Sequence, residues 1–144
     1  MVISMIAPGA IAKILGIQDE VRTVADLDGA VSRGLSEQSV VRVVSRIALN
    51  DKGARALRDQ VVPSDTWKRT KGHLSVHASE RAERLARVMA SAEYTWDDAD
   101  QARVWMNQPH SELGGPTPLA AATIELGALT VETVLDKLFY GLPV

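Results

Sequence analysis

The sequence predicts an all-α fold, and three observations predict it. Polar capping residues recur ahead of runs in which apolar side chains return every three or four positions, and each run closes at glycine or proline. The stretch richest in β-branched residues places its apolar side chains at 40, 44 and 47 and at 41 and 48, a helical period rather than a strict alternation. Apolar residues make up 46% and charged residues 24% of the 144 positions, enough to bury a core in one domain or two small subdomains.

The elements follow in order. Thr23 caps a short helix carrying Leu27, Ala30 and Val31, and Gly34 ends it. Ser36 caps a helix with Val40, Val41, Val43, Val44, Ile47 and Ala48, and Asn50 caps another with Ala54 and Leu57. Val61, Val62 and Pro63 break that helix; Ser64 then caps a short one, 65–71, which Gly72 stops. The longest helix runs from about Val76 to Tyr94, with Ala82, Leu85, Val88, Met89 and Ala92 inward and arginines on the other side. The stretch from Asp97 to Met106 buries Ala99, Ala102, Trp105 and Met106 before Pro109 ends it, and a loop from His110 to Pro116 follows. Thr117 caps a helix with Pro118 at its first position and Gly127 at its close. Thr130 caps the last helix, whose stripe is Val131, Val134, Leu135, Leu138 and Phe139 and which Gly141 stops.

Composition excludes several classes of function. There is no cysteine, which removes disulfide frameworks, thiolate nucleophiles and cysteine-ligated metals, and which fits a reducing cytoplasm. The opening Met1–Ile17 is apolar but lacks a basic start, is broken at Pro8 and Gly9, and is shorter than the roughly 20 residues of a membrane span, so neither signal peptide nor span is expected. His73 and His77 have the spacing of a metal-binding helix face near Glu80, but Leu74 and Ser75 read as a helix start, so the pair straddles a boundary. Gly114 and Gly115 follow a loop and not a strand, which disqualifies them as a phosphate cradle. His110, Ser111 and Glu112 are neighbours in sequence, which does not make a triad. No catalytic residue, metal or cofactor is expected.

The net charge of −2 conceals a partition. Residues 1–41 carry three basic and five acidic side chains, residues 42–87 carry eleven and five, and residues 88–144 carry two and eight. A basic centre and an acidic end suit two different partners, or two solvated faces. Within the basic block, two short helices around the break at 61–63 have the layout of a helix-turn-helix. Ser64 and Thr66 place hydroxyls, and Lys68, Arg69 and Lys71 place positive charge, where a recognition helix meets phosphate and base edges. Trp67 suits a core anchor better than a base contact.

The chain also resembles a family. The segment "ARVWMNQPHSELGGPTPLAAATIELGALTVETVLDKLFYG", Ala102 to Gly141, is similar to the toxin-binding domain of the MbcA/ParS/Xre antitoxins, with Trp105, Pro109, Leu113, Gly114, Pro116, Leu119, Gly127, Val131, Leu135 and the Tyr140–Gly141 end in the family's order. "SERAERLARVMASA" from Ser79 resembles the family's arginine-bearing linker helix, and "VPSDTWKR" from Val62 its recognition-helix start, although Trp67, Lys68 and Arg69 stand where the family usually has Leu and two arginines.

The resemblance implies three regions: 1–75 for DNA binding and dimerisation, with a helix-turn-helix; 76–96 as a linker helix; and 97–144 for toxin binding. It further implies a RES-type toxin that consumes NAD or uses it for ADP-ribosylation, a blocked toxin active site, repression of the operon through operator DNA, and a homodimer within the complex. Toxin contacts are expected at Glu112, Leu113 and Gly114 in the loop. They are also expected at Leu138, Phe139, Tyr140, Gly141, Leu142, Pro143 and Val144, an apolar tail that either projects to a partner or folds back on its own core. The helix from Ser36 to Leu49 and the N-terminal segment are the expected dimer contacts. A transcription regulator without a toxin is the alternative, and a small helical enzyme the third reading.

Overall fold

The structure, a computed structural model, describes residues 6–69 and 71–144. The first five residues of the apolar opening run, and Thr70 within the expected 65–71 helix, lie outside the described residues. Among the described residues the fold is all α: α1 (Pro8–Leu15), α2 (Val24–Ser32), α3 (Glu37–Ile47), α4 (Asp51–Val61), α5 (Ser64–Arg69), α6 (Val76–Trp96), α7 (Ala99–Met106), α8 (Pro118–Ala121) and α9 (Glu125–Phe139), with a 3-10 turn at Ser111–Leu113. The strand-like pairing described is an isolated bridge between Ser36 and His73, which fastens the connection between α5 and α6 to the start of α3.

Side-chain caps set most helix starts. Thr23 and Asp26 form a reciprocal capping box at α2. Asn50 accepts from the Gly53 N–H, Ser75 from Ala78, Asp98 from Gln101 and Thr117 from Ala120. Ser36 stands at the start of α3, but its hydroxyl faces Ser39 rather than a backbone N–H.

α6 is the spine. It packs against α1, α2, α3, α4, α7 and α9, and the buried side chains form one continuous core from Ile6 to Leu135. Ala82, Leu85, Val88, Met89 and Ala92 are fully or almost fully buried along it. Of the expected α9 stripe, Val131, Val134 and Leu135 are buried and Leu138 is half-buried against the core, whereas Phe139, at the end of the helix, is exposed. No single helix among the described residues is long and apolar enough to cross a membrane.

Several expectations are corrected. The N-terminal segment forms a helix, α1, because Pro8 sits where a missing N–H costs nothing, and what reads as a break is a start. The last helix begins at Glu125 rather than at Thr130, whose hydroxyl donates to the Leu126 carbonyl in mid-helix. The helix capped by Thr117 is a single turn, and Gly127 lies inside α9 instead of closing α8. A Cβ at Gly127 would collide with the Ala121 carbonyl, so the residue is set by the tight corner between the two helices. α5 ends at Arg69. Ala99 is only half-buried at the start of α7.

The expected dimer faces are also occupied. Val40, Val43, Val44 and Ile47 on α3, and Ile11, Ile14 and Leu15 on α1, are buried in this chain's own core. They are unavailable to a second copy.

Candidate functional site

The arginines of α6 are not a solvated face. Arg81, Arg84 and Arg87 recur every three residues on one side of the helix, and all three reach other elements. Arg81 Nε donates to the Val61 carbonyl at the end of α4 (2.8 Å), a helix-terminal acceptor that needs a partner. Arg84 donates to the Thr123 carbonyl (3.2 Å) and to Glu125 Oε2 (2.8 Å). Arg87 meets Glu83 (3.3 Å), Glu125 (3.2 Å) and Glu132 (3.0 Å). The row therefore ties α4 on one side and the corner between α8 and α9 on the other to a single helix.

Three carboxylates face two guanidiniums in that cluster, and their proton affinities diverge. Burial pushes Glu83 up, and the neighbouring Glu125 and Glu132 add to it against Arg87 and Arg84. Burial likewise pushes Glu132 up against the pull of Arg87. Glu125 is more exposed; burial raises it, but the Arg84 hydrogen bond, with Arg87 behind it, brings it below the usual carboxylate range. Burial opposes the charge on Arg87, and Glu83, Glu132 and Glu125 outweigh it, so its guanidinium is held more firmly protonated.

The loop from His110 to Pro116 closes on itself. The His110 N–H donates to the Pro116 carbonyl, His110 Nδ1 accepts from the Glu112 N–H, and the His110 ring meets Trp105 edge-on. Lys137 on α9 then grips Glu112, with Nζ 3.2 Å from Oε2. This ion pair brings the expected loop and tail residues to one end of α9. Leu113 is half-buried on the core, while Gly114 adopts a left-handed turn with open space around it.

Beyond Leu138 the chain turns outward. Phe139 rests on Tyr94 with ring centroids 5.4 Å apart, and Tyr140 stands edge-on to Phe139. Gly141 takes φ +68, a left-handed value suited to glycine, and the Leu142 N–H returns to the Lys137 carbonyl to close the helix. Tyr140, Gly141, Leu142, Pro143 and Val144 are all exposed. Of the two fates open to the tail, it projects.

Sequence reasoning missed an apolar surface upstream of the tail. Ile124, Leu126 and Leu129 are 62%, 76% and 46% exposed. They escaped notice because a helix starting at Thr130 puts them elsewhere; starting it at Glu125 rotates Leu126 and Leu129 away from Val131 and Leu135.

Residues 91–141, from the last turns of α6 to the end of α9, match the family described as the antitoxin Xre/MbcA/ParS C-terminal toxin-binding domain. This segment is similar to the toxin-binding domain of those antitoxins. Antitoxin Xre of Pseudomonas putida (strain KT2440) is 32% identical over 87 residues, covering 58% of this chain and 55% of that protein. The chain thus spans about half the length of the curated relative it matches. The Xre/MbcA/ParS segment takes in Glu112, Leu113, Gly114 and the tail as far as Gly141.

The other set of expected residues sits on α5 and just beyond it. Ser64, Thr66, Lys68, Arg69 and Lys71 are all exposed, and Lys52 and Arg55 on α4 are exposed as well. α5 buries none of its own residues. It is anchored by Trp67, half-buried on the core with Arg58 stacked 5.3 Å from the ring centroid, so Trp67 holds the helix rather than facing a ligand. Arg69 Nε donates to the Asp65 carbonyl. His73 lies in the connection and His77 in the first turn of α6, and no group of three potential metal ligands occurs among the described residues.

Proposed function

We propose that the chain is an antitoxin of a toxin–antitoxin pair, acting by binding and not by catalysis. Its partner is a RES-type toxin that consumes NAD or transfers ADP-ribose, and Glu112, Leu113, Gly114 and Leu138 to Val144 are the contacts that block the toxin's active site. The observation that carries this reading is the end of α9. An exposed run of aromatic and aliphatic side chains, held beside Glu112 by Lys137, projects from or just beyond a segment of toxin-binding type. A protein surface has little reason to leave such a run in water unless a partner covers it.

We further propose that α4 and α5 form a helix-turn-helix that binds operator DNA, with 1–75 the DNA-binding region, 76–96 the linker and 97–144 the toxin-binding region. The charge distribution supports it. Arg81, Arg84 and Arg87 serve internal contacts, whereas Lys52, Arg55, Lys68, Arg69 and Lys71 remain exposed to meet phosphates. Pairing on two half-sites calls for a homodimer, and its two-fold contact uses a surface other than the buried faces of α1 and α3.

Coexpression with the protein encoded beside it tests the reading. The expected result is copurification of the two chains, restored growth and a restored NAD pool. Growth arrest unrelieved by the chain overturns it and favours a stand-alone transcription regulator, a reading that the basic α4–α5 face supports by itself.

A further inference from the structure

A helix on a protein surface ordinarily turns charged residues to water. α9 does not. Leu126, Leu129, Thr130, Thr133 and Tyr140 share its outward side, opposite Val131 and Leu135. Between Leu126 and Leu135 the one charged side chain is Glu132, which is buried on the inner side against Arg87. The two threonines add no free hydroxyl, because Thr130 donates to the Leu126 carbonyl (3.0 Å) and Thr133 to the Leu129 carbonyl (2.9 Å). The outward side of α9 is consequently apolar over more than two turns. Charge returns only at Asp136 and Lys137, next to Glu112.

Where the apolar exposure falls decides what covers it. Twelve large apolar side chains are exposed among the described residues, and seven of them lie from Ile124 onward: Ile124, Leu126, Leu129, Phe139, Tyr140, Leu142 and Val144. The segment of toxin-binding type ends within this stretch, and its longest complete helix is α9. Tyr140 returns to the side of α9 that Leu126 and Leu129 occupy, about 21 Å along the axis at 1.5 Å per residue. Asp136 and Lys137, the latter in its ion pair with Glu112, stand between the face and the tail.

We propose that the outward face of α9, centred on Leu126 and Leu129 with Ile124 beside them, is a second toxin-docking surface within the segment of toxin-binding type, set apart from the tail by Asp136 and Lys137 and met by an uncharged apolar face of the toxin. This rests on the antitoxin reading. The tail is the part that enters the toxin's cleft, and the α9 face is the flat contact that holds the two proteins in register. With no charge at its centre, the contact is insensitive to salt, unlike binding by the basic face of α4 and α5.

The test uses the full chain and the purified protein encoded beside it. Leu126→Asp with Leu129→Asp places two charges on exposed positions and leaves circular dichroism and the thermal midpoint unchanged; Leu126→Gln with Leu129→Gln is the milder companion. The expected result is that the Asp pair weakens toxin binding at least about tenfold, and the Gln pair less. The loss in affinity caused by the Gln pair is the same within about twofold at low and moderate salt, because the face it alters carries no charge. If the parent binds and the folded Asp variant binds equally well, the docking assignment is overturned and the antitoxin reading stands. If the parent itself does not bind, the antitoxin reading falls and the assignment with it. If light scattering shows the Asp variant losing a dimer while toxin affinity is unchanged, the face belongs to a second copy of this chain and the proposal is wrong.

Discussion

Arg87 on α6 and Glu132 on α9 form an ion pair across forty-five residues of sequence, Nε to Oε1 at 3.0 Å, with only 5% of the Glu132 side chain exposed. The pair joins the spine of the fold to the helix that presents the docking surface. It does so inside a cluster with one carboxylate too many, which makes the two partners unequal.

Arg87→Ala strands Glu83 and Glu132 in a buried setting, with Arg84 left to face Glu125. Removing one member of a buried pair costs about 3–5 kcal/mol, and partial exposure of Arg87 puts the expected loss near about 3. Glu132→Gln removes the surplus charge, keeps an acceptor for Arg87 and costs about 1 kcal/mol or less. Urea unfolding of the two variants checks the order.

The same cluster sets a pH dependence. Glu83 and Glu132 have folded-state values raised by burial, so the folded chain binds protons more readily than the unfolded chain. Stability from these groups rises as pH falls through their raised values toward the ordinary carboxylate range, and is lost in the other direction. Glu125 is lowered, since the Arg84 hydrogen bond and Arg87 outweigh burial, and Asp26 is lowered by the backbone N–H groups of Arg22 and Thr23. Their contributions disappear on further acidification. The thermal midpoint should therefore rise and then fall as the solution is acidified, and Glu132→Gln should flatten the rise.

Gly127→Ala tests the corner between α8 and α9. In an ordinary helix the change stabilises by about 1 kcal/mol. Here the added methyl meets the Ala121 backbone, and displacing a packed corner costs about 1–3 kcal/mol. A lower thermal midpoint is expected; a higher one means the corner is looser than described.

The basic face makes a separable prediction. Lys68→Ala with Arg69→Ala, both exposed on α5, should weaken operator DNA binding across sequences and reduce the salt slope by about one unit per lost phosphate contact. Toxin binding should be unaffected. An unchanged salt titration removes α5 as the DNA-binding element.

How much of this was legible in the sequence depended on range. Caps at Thr23, Asn50 and Thr117 were readable because a side chain bonds its own backbone two or three residues on. The start of α9 was not, since Ile124 offers no capping group and Gly127 looks like a stop until the Ala121 carbonyl is seen beside it. α1 escaped for a similar reason, with Ala7 as its uncapped start and Pro8–Gly9 resembling a break. At the site, Glu112 and the tail were found through their resemblance to a family, but their meeting through Lys137 is a contact twenty-five residues apart. The arginines of α6 looked like part of a basic surface because, Glu83 apart, their acceptors, Val61, Thr123, Glu125 and Glu132, lie twenty or more residues away.

In the proposed function the exposed end of α9 inhibits while the buried stripe only supports it. Leu135→Ala, at a fully buried position, should lower stability by about 2–5 kcal/mol as a core cavity does. The direct measurement is protection from the toxin by a chain lacking Tyr140 to Val144, coexpressed at matched protein level, with growth and cellular NAD scored together. Helicity and DNA binding should persist while protection is largely lost. Full protection by the shortened chain contradicts that role for the tail and moves the inhibitory contact back to the loop from His110 to Pro116.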